Sequence, residues 1–298
     1  MSTALLDYQH EIGGVLIGAG TAVLLGNIEG LGRATVRATD VDPPDQDGTW
    51  PGQDYYAART VRIPAGIRTP GDAGAALDIL ASLQAAADDP GVRLQGGAVM
   101  DLRLKLPGRD VRVLHGRLRT LDADLEQVVH GWIPLDLQFV AVDPRFYADD
   151  LSVVSVPLGQ VFGGGFSAPV RAPVRVTSTA GADARPGWVT NAGTAETWPL
   201  LRIDGPCTNP TITHVESGRA LTLNTSIPAG DWIEIDTRPT WRTVLRGNGG
   251  NASTTLTGSS RIDLFSMPAG RSELRWTAVD DTNTCRLTVS WRSAWLAL

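Results

Sequence analysis

The sequence predicts a mainly β protein in two parts: a β-rich N-terminal domain carrying one α-helix, then a C-terminal β-sandwich. Three observations predict it. Glycine and proline supply 33 and 19 of the 298 residues, well above the roughly 12% that the two average together, so turns are frequent. Short apolar or alternating runs recur along the whole chain, whereas a convincing helical period occurs once. Composition also changes near the middle. Residues 1 to 148 hold 13 basic and 19 acidic side chains and residues 149 to 298 hold 13 of each, so the net charge of -6 lies wholly in the first half. Seven of the nine tryptophans lie in the second. A single core stops growing at roughly 250 to 300 residues, which also favours two domains.

In the first half, the uncharged run Ile12 to Ile28 is broken by Gly13, Gly14, Gly18, Gly20 and Gly26. Neither a signal peptide nor a spanning helix fits it; two strands joined at Gly18 to Gly20 do. Further strands are expected at Ala34 to Thr39, Tyr55 to Ile63, Ala98 to Leu106, Asp110 to Leu118 and Leu135 to Val142, each bounded by Gly, Pro or Asp. The helix is expected over 72–87. There Ala73, Ala76, Leu77, Leu80, Leu83 and Ala87 recur at three- and four-residue steps, Pro70 and Asp72 mark a start, and Pro90-Gly91 a stop. The first domain is thus read as 1–148 and residues 149–168 as a linker, since Val156 to Pro173 is loaded with glycine and proline.

The sandwich is read over 169–298. Strands are expected at Val170 to Thr177, Trp188 to Thr190, Leu200 to Ile203, Thr211 to His214, Ala220 to Leu223, Trp232 to Asp236, Trp241 to Arg246, Arg261 to Leu264, Ser272 to Ala278 and Cys285 to Trp291, with no helix.

Enzymes leave constellations of side chains, and none is legible here, so no catalytic, cofactor-binding or metal residues are assigned. His10, His115, His130 and His214 are scattered, without His-Glu-x-x-His or Cys-x-x-Cys spacing. No nucleophile elbow or Walker loop occurs, and Gly163-Gly164-Gly165 has neither dinucleotide spacing nor a helix behind it. Asp40, Asp42, Asp45, Asp47 and Asp54 are dense enough to suggest calcium, but Pro43 and Pro44 break the alternation that a calcium loop requires, so a solvated turn-rich loop is expected. Cys207 and Cys285 read as buried reduced thiols. Trp232, Trp276 and Trp291 read as core or sheet-face residues; Trp188, Trp198, Trp241 and Trp295 are compatible with packing or with stacking on sugar rings. The acidic balance excludes electrostatic capture of nucleic acid.

Ordered motifs add a resemblance. His115-Gly116-Arg117-Leu118, Leu135 to Val142 and Asp143-Pro144-Arg145-Phe146-Tyr147-Ala148-Asp149 precede Asn191 to Ala195, Pro199 to Pro206 and Asn209 to Ile212. Leu221 to Leu223, Pro228 to Thr237 and Met267 to Arg275 follow. In this order the chain resembles the distal tail protein family of siphophages, most specifically from Asn191 to Arg275.

The resemblance implies a structural virion protein and no enzyme: an N-terminal β domain with one helix and a C-terminal galectin-like sandwich. It implies a homohexameric ring at the distal end of a long non-contractile tail, assembled in the host bacterial cytoplasm. The ring would join the tail tube protein to tail tip or baseplate hub and fibre proteins. DNA would pass through it without specific binding, a passage suited by the acidic first half, and no membrane insertion or cofactor is implied. A carbohydrate-binding receptor-recognition module and a tail tube protein are the rival readings. Ring contacts are expected at two hairpins, Gly18 to Asn27 and Lys105 to Asp110, because strand edges are ready partners for a second copy.

Overall fold

The computed structural model describes residues 4–158, 187–280, 282 and 284–298. Among them the chain forms two units, Met1–Asp149 with Ala294–Leu298, and Asp150–Ser293. It is mainly β, as the alternation and turn chemistry predict. No helix among the described residues is long and apolar enough to cross a membrane.

The first unit contains β1 (Gln9–Ile12), β2 (Val15–Gly18), β3 (Val23–Leu25), β4 (Val36–Arg37), β5 (Tyr55–Tyr56) and β6 (Arg59–Arg68). After α1 (Ala73–Ala87) and α2 (Pro90–Arg93) come β7 (Met100–Leu104), β8 (Arg112–Ala123), β9 (Trp132–Ala141) and β10 (Phe146–Ala148). The main sheet runs β2-β1-β7-β8-β9-β6-β3, all antiparallel. Alternation sets its inner face: along β9, Ile133, Leu135, Leu137, Phe139 and Ala141 are buried while the residues between them are not. β4 and β5 form a separate two-stranded ribbon.

α1 begins where the Asp72 carboxylate accepts the Ala75 N–H at 2.8 Å. It lays Ala76, Leu80 and Leu83 on the sheet. Leu77, expected on the same face, is instead exposed. Pro90 opens the one-turn helix α2 rather than simply ending α1, because the Asp89 side chain caps Gly91 N–H at 2.8 Å and proline suits a first helical position.

The second unit contains β11 (Ser152–Pro157), β12 (Trp188–Asn191), β13 (Leu200–Asp204), β14 (Cys207–His214), β15 (Arg219–Thr222) and β16 (Ser226–Ile227). It continues with β17 (Trp232–Asp236), β18 (Thr243–Arg246), β19 (Gly270–Val279) and β20 (Arg286–Trp291). Two antiparallel sheets result, β11-β20-β13-β17-β18 and β12-β19-β14-β15 with β16 on β14. Their apolar residues meet in one core that includes Leu201, Ile203, Ile212, Ile233, Ile235, Leu274, Trp276, Leu287 and Val289, the arrangement of a sandwich. Arg261 to Leu264 is not a strand: Ile262–Leu264 is a 3-10 turn, with an Arg261–Asp263 ion pair at 2.6 Å bridging alternate residues. The expected strand Val170 to Thr177 lies outside the described residues.

The sequence reading runs the sandwich to residue 298. The last residues instead pair in the first unit, where β21 (Ala294–Trp295) is antiparallel to β10, and β10 to β8. The second unit is therefore an insertion between two neighbouring strands of the first unit's sheet. Arg59 holds this return in place. Its buried guanidinium donates from Nε to Pro144 O at 2.8 Å, from Nη1 to Gly30 O at 2.8 Å and Gly32 O at 2.6 Å, and from Nη2 to Leu296 O at 3.3 Å. Its face covers Phe146 at 4.5 Å. Arg112 stacks on Trp295 at 3.5 Å.

Arg59→Met is expected to cost about 3 kcal/mol, since it leaves several buried carbonyls without donors. Deleting residues 294–298 should destabilise the same unit, and the combined variant should lose less than the sum of the two, because both changes break one cluster. Urea denaturation followed by near-UV circular dichroism reads all three; strict additivity would contradict the shared cluster.

Candidate functional site

The two segments singled out as contact edges lie side by side. Lys105 to Asp110 is the β7–β8 hairpin turn, with Arg109 N–H donating to Leu106 O at 3.2 Å. Gly18 to Asn27 is not a hairpin, contrary to the sequence reading. β2 and β3 sit at opposite ends of the sheet path and share no ladder among the described residues; β2 pairs with β1 and β3 with β6. The sheet curls until these two ends touch. Register is the reason: Val23 to Leu25 pair with Ala65 to Ile67, a stretch far along the chain that local pattern does not reveal.

Where the ends meet without pairing, a groove of about 690 Å³ opens, lined by Tyr8, His10, Gly18 to Gly20, Leu24 to Ile28, Leu31 and Leu106. Its surroundings are apolar and open: Leu6, Tyr8 and Leu24 are 67%, 60% and 42% exposed. Glycine is required at position 18. Its φ is +94°, and a Cβ there would stand 2.3 Å from Tyr8 O and 3.0 Å from Leu25 Cδ1. Tyr8 itself holds φ +63°, fixed by N–H donation to Lys105 O at 3.0 Å and by acceptance of Ala19 N–H at 2.9 Å. His10 is buried at the groove's base, where its Nδ1 accepts Lys105 N–H at 3.1 Å; burial pushes its pKa below 6.5. Such a groove, flanked by strand edges that have no ladder partner among the described residues, suits the docking of protein rather than chemistry on a small molecule.

The remaining candidates do not converge. Among the described residues no three His, Cys, Asp or Glu side chains come together at metal spacing. His115 pairs with Asp101 at 2.7 Å, and His130 is exposed on the 3-10 turn Val128–His130. The nearest approach to a hydrolase constellation is His214, whose Nδ1 lies 2.8 Å from Ser217 Oγ and whose Nε2 lies 3.7 Å from Glu216. That same Nδ1 also accepts the Ser217 N–H at 3.2 Å, so the ring closes the β14–β15 turn. The aspartates of the Asp40–Asp54 loop are exposed and organise turns: Asp40 accepts Gly52 N–H at 2.9 Å and Asp42 accepts Thr49 Oγ1–H at 2.7 Å. Trp50 on this ribbon is 69% exposed and is flanked by exposed Val41, Tyr55 and Tyr56, a patch that the sequence reading passed over.

The tryptophans of the second half pack. Trp276 is buried and donates its Nε1–H to Val156 O at 2.9 Å; Trp291 is buried and donates to Thr190 O at 3.0 Å; Trp198 is buried as well. Trp188, Trp232 and Trp241 are half-buried, each under a guanidinium, those of Arg271 at 4.0 Å, Arg202 at 4.4 Å and Arg238 at 4.6 Å. A sugar ring would have to displace those cations from the faces they occupy. Cys207 and Cys285 are free and buried, and the Asp280 carboxylate accepts the Cys285 N–H at 3.0 Å.

With this geometry in view, residues 192–295 match the family model for the siphovirus-type tail component, C-terminal domain. No curated protein matches by sequence. Among solved structures, that of the phage SPP1 Dit protein, described as a paradigm of the hub adsorption apparatus in phages infecting Gram-positive bacteria, is similar in fold: TM-score 0.59 at 13% identity, covering 96% of this chain and 98% of that one. A chain of the phage P2 baseplate in its activated, Ca-containing conformation is similar with TM-score 0.56 at 11% identity, over 95% and 97%. The resemblance read from ordered motifs is thus carried by a family match over the second unit and a shared fold along nearly the whole chain.

The buried neutral histidines give the protein an acid-side weakness. As pH falls through 6.5, the unfolded chain binds protons that folded His10 and His214 resist, their pKa values both being lowered by burial, so stability falls. His10→Asn is expected to flatten part of this dependence, and His10→Asn with His214→Asn more of it, in urea midpoints measured as a function of pH.

Proposed function

We propose that this protein is a structural component of the distal tail of a long-tailed phage, one that assembles as a homohexameric ring. The ring joins the tail tube protein to the tail tip or baseplate hub and fibre proteins and leaves a channel for DNA. The observation that carries the reading is the family match of residues 192–295 to a siphovirus tail component. That family is one of structural tail components rather than of enzymes.

The first unit supplies physical support. A closed ring needs a heterologous interface, one surface of each copy meeting a different surface of the next. The groove between β2 and β3 is an apolar surface of this kind, and the outer edges of both strands carry no ladder partner among the described residues. The excess of acidic over basic residues in the first half, 19 against 13, suits a channel wall that repels phosphate. The site of action is then the tail tip of the virion, after assembly in the host bacterial cytoplasm. Receptor recognition by sugar binding falls to partner proteins, because the half-buried tryptophans of the second unit are already covered by arginine.

Six copies of 31.6 kDa give a particle of about 190 kDa, which native mass spectrometry is expected to find, with negative-stain micrographs showing rings with a central hole. Leu24→Asp combined with Tyr8→Asn should abolish the ring while leaving the melting temperature close to that of the parent, since both side chains are exposed. A parent protein that stays monomeric at every concentration would overturn the ring, and a variant that still closes rings would remove the groove from its interface.

A further inference from the structure

Between Arg37 and Arg59 the chain carries five aspartates and no basic residue, and this stretch forms the ribbon of β4 and β5. The ribbon is closed well beyond its two short strands. Ala57 N–H donates to Thr35 O at 2.8 Å, Thr39 Oγ1–H to Gln53 O at 2.7 Å, and Val41 and Trp50 exchange both backbone hydrogen bonds, at 3.0 and 2.8 Å. Yet from Thr35 to Ala58 no residue is buried: Val36, Pro43 and Ala57 are half-buried and the others exposed. A two-stranded hairpin without a covered face is marginal in water. One that displays Val41, Trp50, Tyr55 and Tyr56 to solvent is stabilised when a second surface takes them, and an exposed tryptophan is the commonest kind of anchor at such a contact.

The groove between β2 and β3 offers the complementary surface. No Asp, Glu, Lys or Arg lines it, and Gly18, Ala19, Gly20 and Gly26 contribute little side-chain volume to its walls, so it has room for a flat aromatic side chain. Trp50 is not in the groove of its own chain, being exposed and absent from that lining. The charges at the rim suit the ribbon as well. Arg33 and Arg109, which follow the lining residues Leu31 and Leu106 closely in sequence, are exposed and make no ion pair among the described residues. Of the acids nearby, Asp7 has the Lys105 ammonium at 3.7 Å and Glu29 has Arg62 opposite it across a β-bridge, which leaves Asp110. The five ribbon aspartates make no ion pair among the described residues either.

We infer that these surfaces are the two halves of one contact between copies: the Trp50 ribbon of one copy docks in the β2–β3 groove of the next, with its aspartates facing Arg33 and Arg109. The inference rests on the ring reading above and supplies the second surface that a heterologous contact requires. A further copy of this chain is the occupant because every first unit carries both parts, one projecting ribbon and one open groove, which is the condition for head-to-tail closure. Burial of the indole drives the contact, and the unlike charges at its rim orient the approach.

Two measurements on the full-length protein test it. Native mass spectrometry of Trp50→Ser is expected to show monomer at concentrations where the parent closes rings, with an unchanged melting temperature, because the side chain packs into no core. In the second, Trp50→p-benzoylphenylalanine keeps an aromatic anchor and is assembled together with an isotopically heavy copy of the parent, irradiated and digested. Linked peptides are expected to join light position 50 to a heavy peptide that holds Leu24 or Leu106; these decide the matter even if Trp50→Ser fails to fold. Rings that persist in a folded Trp50→Ser, links confined to the groove of the same chain, links to a different surface, or rings without any link from position 50 would each overturn the docking while leaving the ring itself standing. A parent protein that never closes rings would overturn both.

Discussion

The first unit depends on a buried positive charge that no carboxylate answers among the described residues. Arg59 lies on the inner face of β6, where its neighbours in the alternation are Val61 and Ile63. Taking a guanidinium out of water costs several kcal/mol, and arginine cannot escape by losing its proton. The cost is offset only because the planar fork meets four backbone carbonyls and an aromatic face. Those carbonyls belong to the 30–32 loop, to the segment leading into β10 and to the chain's last residues. The charge therefore fixes where the second unit leaves and re-enters the first unit's sheet. An apolar side chain at the same place would fill the space but bind none of the three segments.

Arginine does related work in the second unit. With one lysine, Lys105, against 25 arginines, the composition reads first as codon bias, but the structure uses what lysine lacks. Arg202, Arg238 and Arg271 lie flat on tryptophans, and Arg202 and Arg238 also bond to aspartates two residues along the chain. A point-charge ammonium satisfies one of those demands, not both. This is also why counting tryptophans in the sequence overstates the sugar-binding potential: the count is visible, the cations over Trp188, Trp232 and Trp241 are not.

Strands whose pattern and partners are local were legible. β7, β8 and β9 were each read within a few residues because alternation and flanking turns agree, and α1 was read almost to its ends from a three- and four-residue period with an aspartate cap. What escaped was register between distant segments. Gly18 to Asn27 has the glycines of a hairpin, yet Leu24 finds Gly66 as its partner while β2 pairs with β1. Arg59 carries no motif because its partners are carbonyls, which every residue has.

The unpaired meeting of β2 and β3 is the feature from which an assembly role follows most directly. A sheet of this length that curls on itself removes its edges when the last strands pair. Here closure stops short: the strands come close at Gly18, where an added Cβ would meet Leu25, while their outward backbone groups have no ladder partner among the described residues. Filling the seam with larger side chains would repack it, but Gly18 has no room for a Cβ, and the Tyr8 carbonyl that blocks it is held by Ala19 N–H. An apolar groove that the chain cannot fill from within is stabilised when something else covers it. In a molecule whose second unit matches a tail component, another protein surface is the occupant that chemistry favours, since the groove offers apolar area and strand edges but no cluster of titratable groups for a reaction.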